Sequence, residues 1–389
     1  MNRQRETGRY IECSISDARY RAFVPNPLPP QPPLAFDVDL IASMDRANRA
    51  LGRLDGIADR LPNRELFLYY YVRKEAVLSS QIEGTQSSLS DLLLFELDEA
   101  PGVPISDVVE VSNYVAALNH GLDRIRGGFP LCLRLLREMH EKLLSRGRGA
   151  TKQPGEFRAS QNWIGGTRPG NALYVPPPPD QLDDCLGRLE RFLHEEDSGL
   201  PILIKAALAH VQFETIHPFL DGNGRLGRLL ITLMLTVEGI LGQPLLYLSL
   251  YFKSHRAEYY EHLQRVRLYG DWEGWLVFFV DGVAQTAQQA VETARILLQL
   301  FETDRERIRP LGRIAATVLA THEHLQNHPL TTIADAAKAT EINRTSITRA
   351  FDEMATNGMV EEITGQKRNR IYVYREYLDI LAEGTDPLN

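Results

Sequence analysis

The sequence predicts a mainly α-helical protein, with a β-hairpin inserted in a helical core and a winged helix-turn-helix domain at the C-terminal end. Three observations predict it. Apolar residues recur at spacings of three and four through most of residues 37–307, the period of a helix face. Segment 154–178 breaks that period with two short extended pieces around a Gly/Pro-containing tip, which reads as a β-hairpin. Beyond Pro310 come a helix, a helix–turn–helix and a basic hairpin, the order of a winged helix-turn-helix.

Residues 1–37 read as irregular. Six prolines stand between Pro25 and Pro33, which favours polyproline II and excludes helix. The segment is expected to lie on the surface as an extended strap. Leu40, Ile41, Met44, Ala47, Leu51 and Leu54 then mark a first helix from Asp37. A second runs over 63–83, and Gly84 stands where a left-handed C-cap would end it. Further helices are expected near 87–97, 104–126 and 130–146.

The hairpin comprises 162–166 and 172–175, and Pro176 to Pro179 close it. Helices follow over 180–196, 199–215, 223–238 and 253–266, then over 272–307. The run Glu195-Glu196-Asp197 reads as a solvated helix end. Past Pro310, helices are expected at 311–325, 333–339 and 343–357, with extended pieces at 360–364 and 371–374. The expected division is 1–103 (strap and N-terminal helices), 104–308 (helical core) and 309–389 (winged helix).

The 389 residues carry 43 basic and 51 acidic side chains, a formal charge of −8. Global attraction to nucleic acid or to an anionic membrane is therefore excluded as a driving force, though a local basic patch is not. Cys13, Cys132 and Cys185 are an odd number without metal-ligand spacing. They fit a reducing, cytoplasmic setting better than a disulfide framework. The longest apolar run, Leu229 to Val237, is too short for a membrane span. The N-terminus lacks an apolar signal core.

The chemistry concentrates in His217-Pro218-Phe219-Leu220-Asp221-Gly222-Asn223-Gly224-Arg225-Leu226-Gly227-Arg228. Gly222-Asn223-Gly224 forms a tight turn between two helices. Free amides at the start of the second helix make an anion site, and glycines let the chain approach a phosphate. Arg225 and Arg228 are three apart on one helix face and suit a di- or triphosphate. Asp221 supplies one hard oxygen, as Mg²⁺ requires when water and phosphate complete its shell. His217 could serve as a general base near neutral pH.

These twelve residues resemble the signature of the Fic (filamentation induced by cAMP) family at every fixed position, and the resemblance extends over about residues 35–300. It implies a Fic-fold helical core with a β-hairpin flap, and transfer of AMP from ATP to a protein hydroxyl. By position, the resemblance makes His217 the base that deprotonates a Ser, Thr or Tyr hydroxyl. Phe219 fixes the loop in the core. Asp221 holds Mg²⁺. Gly222, Asn223 and Gly224 bind α- and β-phosphate oxygens, Arg225 the β-phosphate and leaving pyrophosphate, and Arg228 the γ-phosphate. The flap, 162–175, takes the target's backbone as an added strand.

Ser79-Ser80-Gln81-Ile82-Glu83-Gly84 resembles the inhibitory pattern of self-inhibited Fic proteins. The resemblance implies that Glu83 pairs with Arg228 and keeps it from the γ-phosphate. Ser79, one turn back, is expected to anchor the glutamate to the anion loop.

From Arg309 onward nine basic and eleven acidic residues give −2, not the footprint of a strong DNA binder. The charge is uneven, however. Arg344 and Arg349 lie on one helix, and Lys367, Arg368 and Arg370 in the wing. The unit serves either as a DNA reader or as a protein-docking or dimerisation surface. The expected partners are therefore ATP, a protein substrate at the flap, and the chain itself through auto-AMPylation or a homodimer. DNA stays open, and no membrane is expected. Within the enzyme reading, another nucleotide donor or removal of AMP from the target also stays open. The rival reading is a transcription regulator whose core only senses nucleotide.

Overall fold

The computed structural model describes residues 5–15, 18–58, 64–96, 105–195, 199–240, 246–365 and 370–387. The chain begins with an antiparallel hairpin, β1 (Gly8–Ile15) and β2 (Ala18–Pro25), paired from Gly8↔Pro25 to Ile15↔Ala18. This corrects the expectation of an irregular segment. Arg19 and Arg21 are exposed while Tyr20 and Ala22 are buried, a two-residue period that ends where Phe23 and Val24 are both buried and that the prolines after it obscure. The proline strap follows and is pinned to the surface. Arg5 donates to the carbonyls of Pro32 (2.7 Å) and Pro33 (2.9 Å) and pairs with Glu273 at 2.6 Å.

The helices come in the expected order: α1 (Val38–Ala58), α2 (Arg64–Ile82), α3 (Leu89–Glu96), α4 (Ile105–Arg126), α5 (Leu133–Leu143), α6 (Pro179–His194), α7 (Ile202–Ile216) and α8 (Asn223–Val237). A short helix, α9 (Ser249–Ser254), precedes α10 (Arg256–Tyr269) and the long α11 (Trp272–Ile308). α1 lies along α11, α7 packs on α8, and α2 lies between α4 and α9. α7 is buried from Leu203 to Ile216, so it forms the centre of the core, and α8 carries the signature loop beside it.

The expected flap strands reduce to a single bridge, Ile164↔Tyr174. Gly165 and Gly166 both take positive φ (68° and 70°), and Pro169–Asn171 form one 3-10 turn. Those turns end the ladder after one pair. The Val175 carbonyl accepts from Phe23 N (2.9 Å), so β2 supports the flap's base.

After α11 a 3-10 segment with Gly312 at φ 65° delays the next helix, α12, to Ala315–Asn327 rather than 311. β3 (Leu330–Thr332), α13 (Ile333–Thr340), α14 (Arg344–Thr356), β4 (Glu361–Glu362) and β5 (Ile371–Val373) follow, with sheet order β3-β5-β4. Thr332 caps α13 and Asn343 caps α14 through their side chains. Helices and short strands thus follow Pro310 in the expected order. Lys367 and Arg368, expected in the wing, and Glu196 and Asp197 lie outside the described residues. An additional helix, α15 (Arg375–Ala382), packs on α2, α3 and α11. One apolar cluster runs unbroken from Val24 to Leu381. Among the described residues no helix is long and apolar enough to cross a membrane.

Candidate active site

The site forms where α7 ends and α8 begins. His217 caps α7 in the left-handed conformation (φ 49°, ψ 60°). Gly222 precedes α8 in the same conformation (φ 77°), which glycine adopts at no steric cost. Between them Phe219 is fully buried and stacks on His140, ring centroids 3.7 Å apart. His140 also closes the loop, with Nε2 on the Asp221 carbonyl (3.0 Å) and Nδ1 accepting from Gly155 N (2.9 Å). Burial lowers its pKa to about 4, so it is neutral. Asn223 is 2% exposed, and its carboxamide accepts from Phe219 N (2.9 Å) and donates to Phe219 O (2.8 Å). Its side chain holds the loop through both of these bonds. The first intrahelical bond of α8 runs from Leu226 N to Gly222 O (3.0 Å). The amides of Asn223, Gly224 and Arg225 lie ahead of it, as an anion site requires.

Arg158 braces His217 from behind. Its guanidinium is buried and donates to the carbonyls of His217 (2.9 Å) and Pro177 (2.6 Å), while Asn162 on the flap reaches His217 O (3.3 Å) and Phe219 O (2.9 Å). The His217 ring keeps 19% of its surface open. Burial of the rest, then the charges of Arg267 and Arg158, lower its pKa far below the ordinary value. It is therefore neutral at physiological pH, as a proton acceptor must be. Asp221 accepts from Gly222 N through Oδ1 (2.6 Å) and lies 3.6 Å from Arg225. Its other oxygen, Oδ2, faces the backbone of Gly149. Among the described residues no group of three or more His, Cys, Asp or Glu could hold a metal ion. A lone, partly open carboxylate suits Mg²⁺ only when phosphate and water complete its shell.

Arg228 and Arg225 are both 2% exposed. Arg228 pairs with Glu83 at 2.8 Å and donates to Ser79 Oγ (2.8 Å) and Ser79 O (2.9 Å). Ser79 thus holds the arginine to which Glu83 is paired. Burial alone would raise the Glu83 carboxyl, but the Arg228 charge and hydrogen bond outweigh it and hold it below the usual range. The Glu83 carboxylate also sits on the start of α8. A Cβ at Gly224 would lie 2.3 Å from Glu83 Oε1. One acidic side chain therefore occupies the second arginine and covers the helix N-terminus together.

Three further acids surround the arginines. Glu110 pairs with Arg225 at 3.1 Å. Glu75 accepts from Ser249 N (3.2 Å), from Ser249 Oγ and from Tyr114 Oη (3.3 Å). Glu214 is buried with Oε1 unpartnered, and its Oε2 is 3.9 Å from His217 Nδ1. Burial raises Glu214 to about 7, against the lowering pull of Arg228. Below an ordinary carboxyl pKa both folded and unfolded chains hold this proton. As pH rises toward 7 the unfolded chain loses it first, so stability falls through that window. Glu214→Gln should therefore stabilise the fold by about 1–3 kcal/mol at pH 8 and by almost nothing at pH 4.5. Thermal unfolding of both proteins at the two pH values checks this, and an equal difference at both would contradict it.

Residues 41–123 match the "Fic/DOC family N-terminal" model and 130–235 the "Fic/DOC family" model. Proteins named protein adenylyltransferase Fic are similar: that of Culex quinquefasciatus is 35% identical over 40% of this chain and 28% of its own length. That of Aedes aegypti is 29% identical over 64% of this chain and 45% of its own. The chain thus spans a quarter to a half of the length of these relatives. A Fic family protein from Desulfovibrio desulfuricans G20 shares the fold, with a TM-score of 0.58 at 19% identity over 88% of this chain and 98% of that one. Through these two matched regions, the helical fold they share and the intact signature loop, the chain belongs to the Fic/DOC family.

Proposed function

We propose that this chain transfers AMP from ATP to a Ser, Thr or Tyr hydroxyl of a protein, and that Glu83 holds the activity in check. The observation that carries the reading is the convergence on one loop of an open, neutral imidazole, a helix N-terminus and two arginines. In-line attack at the α-phosphorus needs a base on one side and positive charge at the leaving pyrophosphate on the other.

In this reading His217 takes the proton from the target hydroxyl as oxygen bonds to the α-phosphorus, and the bond to the pyrophosphate breaks. The α8 amides and Arg225 take up the charge on that leaving group, for which Arg225 turns from Glu110. Arg228 binds the γ-phosphate once Glu83 withdraws. Asp221 would hold Mg²⁺, which neutralises phosphate charge when bound. The exposed Leu173 and Trp163 on the flap (79% and 37%) offer the target's backbone an apolar edge. The winged helix-turn-helix at 309–389 carries exposed Arg344 and Arg349, a surface for DNA or for a protein, and the division at 104 and 309 is part of the same reading. Incubation with labelled ATP and Mg²⁺ tests it. Label on protein supports transfer. A nucleotide-dependent DNA shift without label would favour the regulator instead.

The metal assignment gives a further expected result. Asp221→Ala should lower labelling by at least about tenfold, since metal neutralisation of phosphate charge supplies several kcal/mol. EDTA should stop the wild type. Labelling that persists in EDTA would remove Asp221 from the metal role.

A further inference from the structure

The end of α2 is held from two sides. On one face Ser79 and Glu83 grip Arg228. On the other, Gln81 is 1% exposed and donates to Thr385 O at 2.7 Å and to Ser87 O at 2.8 Å. Thr385 belongs to the segment after α15, and is itself 2% exposed. The same segment is clamped by Lys253 on α9, whose ammonium donates to Gly384 O (3.0 Å) and to Asp386 O. Four residues before Lys253, Ser249 bonds Glu75, which lies on α2. Upstream, the Tyr70 and Tyr377 rings meet edge to face at 6.1 Å, and Tyr70 Oη reaches Asn327 O at 3.4 Å. The inhibitory helix is therefore sandwiched between the catalytic loop and the C-terminal unit.

A second observation marks this joint as one that can move. Ser80 Oγ, Gln81 Oε1, Thr85 Oγ1 and Ser87 Oγ are all buried without hydrogen-bond partners. Buried orphans are costly, and here four fall within eight residues at the turn that follows α2. The blocked arrangement leaves polar groups unsatisfied that an opened turn would hydrate. Its hold on Arg228 must thus be supported from elsewhere, and the tail supplies three hydrogen bonds toward that support.

We infer that the tail after α15, residues 383–386, is a latch that keeps the end of α2 in its blocking position, so that drawing the C-terminal unit away from α2 releases Glu83 from Arg228. This rests on the reading of Glu83 as an inhibitor. It gives the C-terminal unit a task besides any docking of its own: it reports its state to the active site through Gln81. Sites coupled in this way influence each other reciprocally. Occupation of Arg228 by a γ-phosphate should loosen the tail in turn.

The test uses the full chain, the chain ended after Glu383, and Lys253→Met, each with and without Glu83→Gly. Lys253→Met keeps the length and the apolar stem while removing two of the tail's hydrogen bonds, and serves if the shortened chain folds poorly. Initial labelling rates with ATP and Mg²⁺ are measured, together with hydrogen exchange of the amides of residues 79–85. Loss of one net hydrogen bond to the latch should raise the rate by about fivefold. In the Glu83→Gly background the same changes should add nothing, because the lock is already absent. A variant weakened only in its folding would label more slowly in both backgrounds, which overturns the latch. Equal labelling of wild type and shortened chain, while Glu83→Gly labels at least about tenfold faster, also overturns it. If Glu83→Gly itself changes nothing, the inhibitory reading fails, and exchange decides the latch: faster exchange at 79–85 in the shortened chain upholds the mechanical link, and unchanged exchange removes it.

Discussion

His217→Ala should lower AMP transfer by about 10²–10⁴-fold, the usual cost of removing a general base, while ATP binding stays close to wild type. The split follows from geometry. His217 is not among the groups that grip phosphate. In the proposed reading those are the α8 amides and the two arginines, and they stand on the helix that follows the loop. On the flap side Asn162 and Arg158 hold the backbone carbonyl of His217. Alanine at a φ of 49° adds some backbone strain. His217→Asn is the better-matched control, because asparagine tolerates the left-handed region and offers no base. Both variants should bind ATP and neither should label. The measurements are single-turnover labelling and nucleotide binding on the same preparations. Transfer within a factor of a few of wild type, in a folded variant, would rule out the role.

The signature loop was legible because its chemistry is local. Twelve consecutive residues contain His217, Asp221, the turn glycines and both arginines, and folding needs only a helix–turn–helix to assemble them. The pairing of Glu83 with Arg228 is legible for a different reason: Glu83 follows the end of a helix in a short pattern that resemblance can recognise. The acids that surround the arginines were not found, since Glu110 and Glu75 reach them from α4 and α2. The available signal was weak but physical. Each is a carboxylate on a helix face otherwise apolar, beside Val108 and Val111 or beside Val72 and Ala76, where an unpaired charge is rarely tolerated. His140 sits likewise among Leu136, Met139 and Leu143.

The partners of two further side chains are not legible, because a side chain's partner is a tertiary fact. Asn223 lies at the phosphate-facing turn by sequence, yet its carboxamide is spent on Phe219. Ser79 lies one turn before Glu83, yet it meets Arg228. The N-terminal hairpin is hard to read because its two-residue period holds only over residues 19–22, before Phe23 and Val24 are both buried, and the prolines after it overshadow it. The flap strands were overread because two glycines that permit extension also permit the left-handed turn they adopt. The tail that touches Gln81 leaves no pattern at all, being a set of backbone carbonyls.

Glu83→Gly should raise labelling by at least about tenfold, equivalent to roughly 1.4 kcal/mol of transition-state stabilisation. The structure gives two reasons for a gain of this size. Glu83 holds the Arg228 guanidinium at 2.8 Å, and its carboxylate stands where a phosphate oxygen would meet the start of α8, so close that Gly224 has no room for a Cβ beneath it. Removing the side chain frees the cation and clears the space together. The γ-phosphate can then take Arg228, and the α-phosphate can align with His217 for in-line attack. Arg228→Ala alone should stay inactive, because it removes the lock and the phosphate grip at once. In the Glu83→Gly background it should cancel most of the gain, so the two changes are strongly non-additive. Ser79→Ala gives an intermediate case. It removes one of the two bonds by which Ser79 holds the guanidinium and leaves Glu83 in place, so labelling should rise less than for Glu83→Gly. The cycle is read from initial rates at saturating ATP and Mg²⁺. Equal rates for wild type and Glu83→Gly would remove the inhibitory role. A double variant as fast as Glu83→Gly would show that the glutamate acts by covering the helix N-terminus alone, with Arg228 no part of the lock.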